Sequence, residues 1–62
     1  MEPMQAEAEI LAIRQEIYMR GANDSEIPTI DRLLNSLRAG GRTPEDAVQE
    51  AREIMARKAD YH

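Results

Sequence analysis

The sequence predicts an all-α protein, either a small three-helix antiparallel bundle or a helical hairpin with an N-terminal helix docked on it or exchanged between subunits. Three observations carry this. Apolar residues recur at spacings of three and four in three separate segments. Two glycine-containing joints divide those segments. The apolar set tolerates helix: six Ile, four Leu, four Met, one Val and nine Ala, with no Phe or Trp. At 62 residues the chain is expected to be a single domain, 1–62.

Helix 1 is expected over about residues 4–20. Pro3 suits the first turn, where its missing N–H is not needed. Glu2, Glu7 and Glu9 lie toward the positive end of the helix dipole. Ala6, Ile10, Ile13 and Ile17 form one apolar stripe, and Met4, Leu11 and Tyr18 form a second at seven-residue spacing. At about 100° per residue the two stripes together cover roughly half the circumference. Glu7 and Arg14 fall between them. Gly21 is expected to end the helix in the left-handed conformation.

The stretch "ANDSEIP" is rich in residues that bond their own backbone and so favour turns. Pro28 disfavours helical geometry at Ile27, which puts the start of helix 2 near Pro28 and its span at about 28–38. Ser25 as the cap, with Pro28 still in the first turn, is the alternative. Ile27, Ile30, Leu33, Leu34 and Leu37 form the cleanest stripe in the chain.

Helix 3 is expected over about residues 44–59. Gly40 or Gly41 closes helix 2, Thr43 caps helix 3, and Pro44 takes its first position. Asp46 stands where a capping-box acid reaches back to the cap N–H. Ala47, Val48, Ala51, Ile54, Met55 and Ala59 face one way. Acids fill the first half and Arg57 and Lys58 the end, which suits the dipole. Glu16–Arg20 and Glu53–Arg57 are spaced as i,i+4 pairs, each worth only about 0.3 kcal/mol.

A chain this short buries a small core, so the hydrophobic gain and the entropy of ordering nearly cancel. With no cysteine, disulfides and thiolate metal sites are out. Oligomerisation or a partner is the stabilising route left open, though some domains of this size fold alone. Helix 2, at about 16 Å against about 25 Å for helix 1, is too short to cover both neighbours. Part of the wide face of helix 1 is therefore expected to lack an intrachain partner.

The weighed chemistries fall away one by one. "GGRTPEDAVQEA" resembles an anion cradle only superficially, because Pro44 removes an N–H and Glu45 and Asp46 already occupy the positive end. The glycines fit neither nucleotide-binding fingerprint, so no cofactor is expected. His62 is the only histidine and sits at the end of the chain, where it cannot serve a preorganised triad with Ser25, Thr29, Ser36 or Thr43. Asp24, Glu26 and Asp31 do not make a calcium loop, since the sixth position from Asp24 is Thr29 rather than glycine. Asp60 and His62 would make only a weak two-ligand metal site. A helix-turn-helix reading fails because helix 3 opens with Glu45, Asp46 and Glu50, which phosphates repel. No enzyme is predicted.

Net charge is −4, and the eight bases, seven of them Arg, are spread without a cluster. Nucleic acid is accordingly disfavoured as a partner. No stretch is long and apolar enough to span a membrane, and no basic-then-apolar leader opens the chain, so a cytoplasmic location is expected. The rhythm of "LRAGGRTPEDAVQEA" is helix-joint chemistry and assigns no family.

The function that remains is a protein–protein interaction module, expected to be a homodimer joined through helix 1. Its candidate interface residues are Met4, Glu7, Leu11, Arg14 and Tyr18. Met adapts to partner surfaces and Tyr is enriched at interfaces. Arg14 and Glu7 could form an ionic lock across that interface, or Arg14 could lay its stem on apolar neighbours and send its head to water. A small acidic inhibitor, antitoxin-like in masking a basic site on a larger protein, is the alternative.

Overall fold

Among the described residues three helices make up about three-quarters of the chain: α1 (Pro3–Arg20), α2 (Ile27–Arg38) and α3 (Pro44–Asp60). The structure is a computed structural model and describes residues 1–60, without the side chains of Ala59 and Asp60. α3 thus reaches Asp60, one residue past its expected end, while expectations for the side chains of Ala59, Asp60 and His62 lie outside what is described.

α1 starts where Pro3 fixes the first turn. Glu2 is extended, with φ −71° and ψ 143°, and its carbonyl accepts the Ala6 N–H at 3.0 Å. At the other end Gly21 donates its N–H to the Ile17 carbonyl at 3.0 Å. Its backbone is extended rather than left-handed, with φ −171° and ψ 108°. The expectation for Gly21 is therefore corrected: the chain leaves α1 in a conformation open to any residue. Asp24 shapes the joint instead. Its N–H donates to the Gly21 carbonyl at 3.1 Å, and its carboxylate accepts the Glu26 N–H at 2.9 Å.

α2 begins one residue earlier than expected. Ile27 is helical despite Pro28, and Glu26 precedes it in helical geometry with no side-chain cap. Pro28 lies in the first turn, where its absent N–H costs nothing. Burial of the Ile27 side chain in the core outweighs the mild steric preference against helix before proline.

The second joint forms as its glycines suggest. Gly40 takes φ 80°, the left-handed region that glycine enters freely. The Gly40 N–H donates to Leu37 O at 3.2 Å and the Gly41 N–H to Ser36 O at 2.8 Å. That pair of bonds is a Schellman closure. Thr43 Oγ1 then accepts the Asp46 N–H at 3.1 Å and caps α3. The capping box is only half made. The Asp46 carboxylate turns to Arg42 Nη1 at 3.5 Å instead of reaching back to the cap N–H. Arg42 also binds Glu50 at 2.9 Å, so the basic residue of this stretch is held by the chain's own acids.

Ion pairs reveal the helix directions. Glu7 pairs with Arg38 and Arg14 with Asp31, so numbers fall on α2 as they rise on α1. Met1 pairs with Glu45 and Glu9 with Arg52, so α1 and α3 run parallel. The result is an up-down-up three-helix bundle. Its radius of gyration is 11.1 Å, close to the roughly 10.6 Å of a compact chain this long.

The core lies along the common axis. α1 contributes Ala6, Ile10 and Ile17; α2 contributes Ile27, Ile30, Leu33, Leu34 and Leu37; α3 contributes Ala47, Val48, Ala51 and Ile54. Ile13 and Met55 pack at its edge. Small alanines allow helices to approach closely, and α1 and α3 share the most extensive helix–helix contact. This corrects one expectation about length. α3, not the short α2, flanks α1 along its span, so uncovered surface on α1 arises from angle around the helix rather than from an overhanging end.

Candidate protein-binding surface

α1 carries more apolar residues than the bundle can enclose. Of the inner stripe, Ala6, Ile10 and Ile17 are buried in the core and Ile13 packs at its edge. The outer stripe stays in contact with water: Met4 is 83 % exposed, Leu11 44 % and Tyr18 50 %. Leu11 follows Ile10 by one residue and therefore points about 100° away from it. Met4, Leu11 and Tyr18 each stand seven residues apart, so they form a nearly straight line about 21 Å long. Met19 is also exposed, about 80–100° around the helix from this line.

Glu7 and Arg14 sit between the two stripes, as their spacing requires, and both find partners inside the chain. Arg38 Nε donates to Glu7 Oε1 at 2.7 Å. Arg14 Nε donates to Asp31 Oδ1 at 2.7 Å, with a longer contact of 3.5 Å from Nη2 to Oδ2. Within one chain each residue thus has a partner on α2. The charged heads bind α2 of the same chain, because α2 packs beside the inner stripe and presents Asp31 and Arg38 along that seam. The two residues border the apolar stripe and close its α2 side.

The same pattern recurs around the bundle. Arg52 meets Glu9 between α3 and α1. Arg57 reaches Glu26 at 3.4 Å and Lys58 reaches Asp24 at 2.8 Å, tying the end of α3 to the first joint. Arg57 thus pairs across helices, not with Glu53 as its spacing suggests, and Glu53 accepts from Gln49 at 3.3 Å. Glu16–Arg20 is not among the ion pairs of the described residues. Lys58, and then the Glu26 N–H, hold the Asp24 carboxyl below its ordinary value of 3.8. The terminal ammonium of Met1 does the same for Glu45, below 4.5.

A second surface lies on the opposite flank of α1. Between α1 and α3 runs an open groove of about 550 Å³, with Ala12, Ile13, Met55 and Ala56 in its apolar lining and Glu9, Glu16 and Arg52 at its rim. Apolar spacing does not announce it. The signal is the pair of alanines, whose short side chains leave a trough between longer neighbours.

Among the described residues, no three His, Cys, Asp or Glu side chains gather to hold a metal ion. None of the described helices is long and apolar enough to cross a membrane. Thr43 is occupied as a helix cap, and the other hydroxyls make no hydrogen bond to an acid or base among the described residues. No protein-family description, no curated protein and no solved structure matches this chain.

Proposed function

We propose that the chain is a non-enzymatic protein–protein interaction module of the cytoplasm that self-associates through α1. One observation carries the reading: Met4, Leu11 and Tyr18 form a straight exposed apolar line on a helix that already gives Ala6, Ile10 and Ile17 to the core. Single exposed apolar residues are ordinary on protein surfaces, whereas an aligned set bordered by charges marks a contact surface. Glu7 and Arg14 belong to that surface as its border, held in place by Arg38 and Asp31.

The alternative, a mask for a basic partner, draws on the net charge of −4. The distribution of that charge favours it less. Glu7, Glu9, Asp24, Glu26, Asp31, Glu45, Asp46 and Glu50 each hold a cation of the same chain. Glu2, Glu16 and Glu53 have no cation partner among the described residues, and they do not form one patch.

Sedimentation equilibrium tests the proposal. The unmodified chain should associate at about 100 micromolar, and Leu11→Ser with Tyr18→Ser should weaken that association at least about tenfold, or 1.4 kcal/mol. Far-ultraviolet circular dichroism should show the double variant still helical. A fully helical, strictly monomeric parent at that concentration refutes self-association.

A further inference from the structure

We propose that the outer stripe of one copy seats in the α1–α3 groove of a second copy, so that chains join head to tail. This rests on self-association through α1 and adds what the stripe meets. Area is the first reason. A stable interface takes about 800 Å² from each partner, which is nearly a fifth of this chain's 4277 Å². Three side chains laid flat against an identical stripe contribute far less. Side chains inserted into a groove are covered on several sides.

Dimensions agree. Leu11 and Tyr18 are seven residues apart, about 10.5 Å along the helix. The α1 wall of the groove runs from Glu9 to Glu16, also seven residues and about 10.5 Å. The groove volume of about 550 Å³ falls in the range of sites that enclose sizeable apolar groups. Its lining offers Ala12, Ile13, Met55 and Ala56 to those two side chains.

Charge agrees as well. Glu16 stands at the groove rim with no cation partner among the described residues. Arg14 borders the stripe, three residues after Leu11 and four before Tyr18, so it is their neighbour on the helix surface. It spends Nε and Nη2 on Asp31 and keeps further N–H donors for an acid on a second copy. Stripe and groove lie on opposite flanks of α1, roughly 150° apart at about 100° per residue. One copy can use both at once. Such a contact is heterologous, and it extends into a chain or closes into a ring instead of stopping at a two-fold dimer.

Two surface variants and their mixture test this. The stripe variant is Leu11→Ser with Tyr18→Ser. The groove variant is Ala12→Gln with Ala56→Gln, which fills the trough without changing charge; both alanines are exposed. Circular dichroism checks that each remains helical. By sedimentation velocity the parent should show species larger than a dimer as concentration rises. Each variant alone should be monomeric, and an equimolar mixture should form a dimer and nothing larger, because one good stripe then meets one good groove. A groove variant that associates like the parent overturns the inference while leaving association through α1 intact; the stripe then meets another stripe. A stripe variant that associates like the parent overturns both. A monomeric parent also overturns both and leaves the groove to a helix of another protein.

Discussion

Ile10 and Leu11 are chain neighbours of similar size, and the fold assigns them opposite tasks. Ile10 is completely buried at the centre of the bundle, while Leu11 is 44 % exposed on the outer stripe. Replacing a buried isoleucine by alanine costs about 2–5 kcal/mol, the more so where neighbours cannot collapse into the space. Three helices surround Ile10, so about 3–4 kcal/mol is expected. A chain this long has only about 3–9 kcal/mol of stability in total. Ile10→Ala should therefore lose a third of the chain's stability or more. Full burial of a leucine contributes about 1.5–3 kcal/mol, and Leu11 keeps roughly half of that within the chain, so Leu11→Ala should cost about 1 kcal/mol. Urea unfolding followed by circular dichroism reads both. With a slope of about 1 kcal/mol per molar, the midpoints should move by about 3 M and about 1 M. Repeating the titration at about 5 and about 200 micromolar separates fold from association, since self-association stabilises the folded state by mass action. Ile10→Ala should keep the parent's concentration dependence, and Leu11→Ala should lose most of it. Equal costs at the lower concentration would refute the orientation of α1, because Leu11 would then be a core residue and the outer stripe would not exist.

The glycines and Asp24 give two further tests. Gly40→Ala forces a side chain into a left-handed backbone with φ 80° and should cost about 1–2 kcal/mol. Gly21→Ala meets open space in an extended backbone and should gain about 0.4–1 kcal/mol through the unfolded chain; thermal melts of the two variants should move in opposite directions. Lys58 and the Glu26 N–H lower the Asp24 pKa in the folded state from its ordinary 3.8. The unfolded chain then takes up the proton first, so this stabilisation is present above 3.8 and is lost as pH falls through the lowered folded value. Asp24→Asn keeps a side-chain oxygen that can accept the Glu26 N–H but removes the charge, and should flatten the acid side of the melting-temperature profile; an unchanged profile would show that Asp24 contributes nothing to it.

The helices were legible because their signals are local. Thr43, Pro44 and the following acids announce the start of α3 by chemistry that needs no tertiary contact, and the structure shows that cap formed. The inner stripes of α1 and α2 were legible from spacing alone. Gly21 was misread because glycine permits the left-handed cap without requiring it. The hydrogen bonds of Asp24 to the Gly21 carbonyl and the Glu26 N–H decide the path there, and Lys58 of α3 adds an ion pair that only the folded chain supplies. The ion pairs were illegible for an energetic reason. An i,i+4 pair contributes about 0.3 kcal/mol and an exposed interhelical pair about 0.2–1 kcal/mol. Arg57 faces both options at similar strength, and its spacing to Glu53 cannot rank them. The groove was hidden for a related reason: it is defined by short side chains on two helices, and their adjacency exists only after folding.

Glu7 and Arg14 show why the breadth of the α1 apolar arc is not spare core. If the outer stripe belonged to the bundle, α2 would have to roll around α1 to cover Leu11 and Tyr18. That movement would carry Asp31 and Arg38 away from Arg14 and Glu7 and break both ion pairs. It would also turn Ile30 and Leu33 away from the axis, where they are now buried. Exposed pairs of this kind contribute little energy each, yet they sit on the boundary between the two stripes and match acid to base at two points along one antiparallel seam. Their register is compatible with α2 on the inner side only. The residues interrupting the apolar arc thus divide it, with one stripe committed to the fold and the other left facing outward, in a line, beside a border of fixed charges.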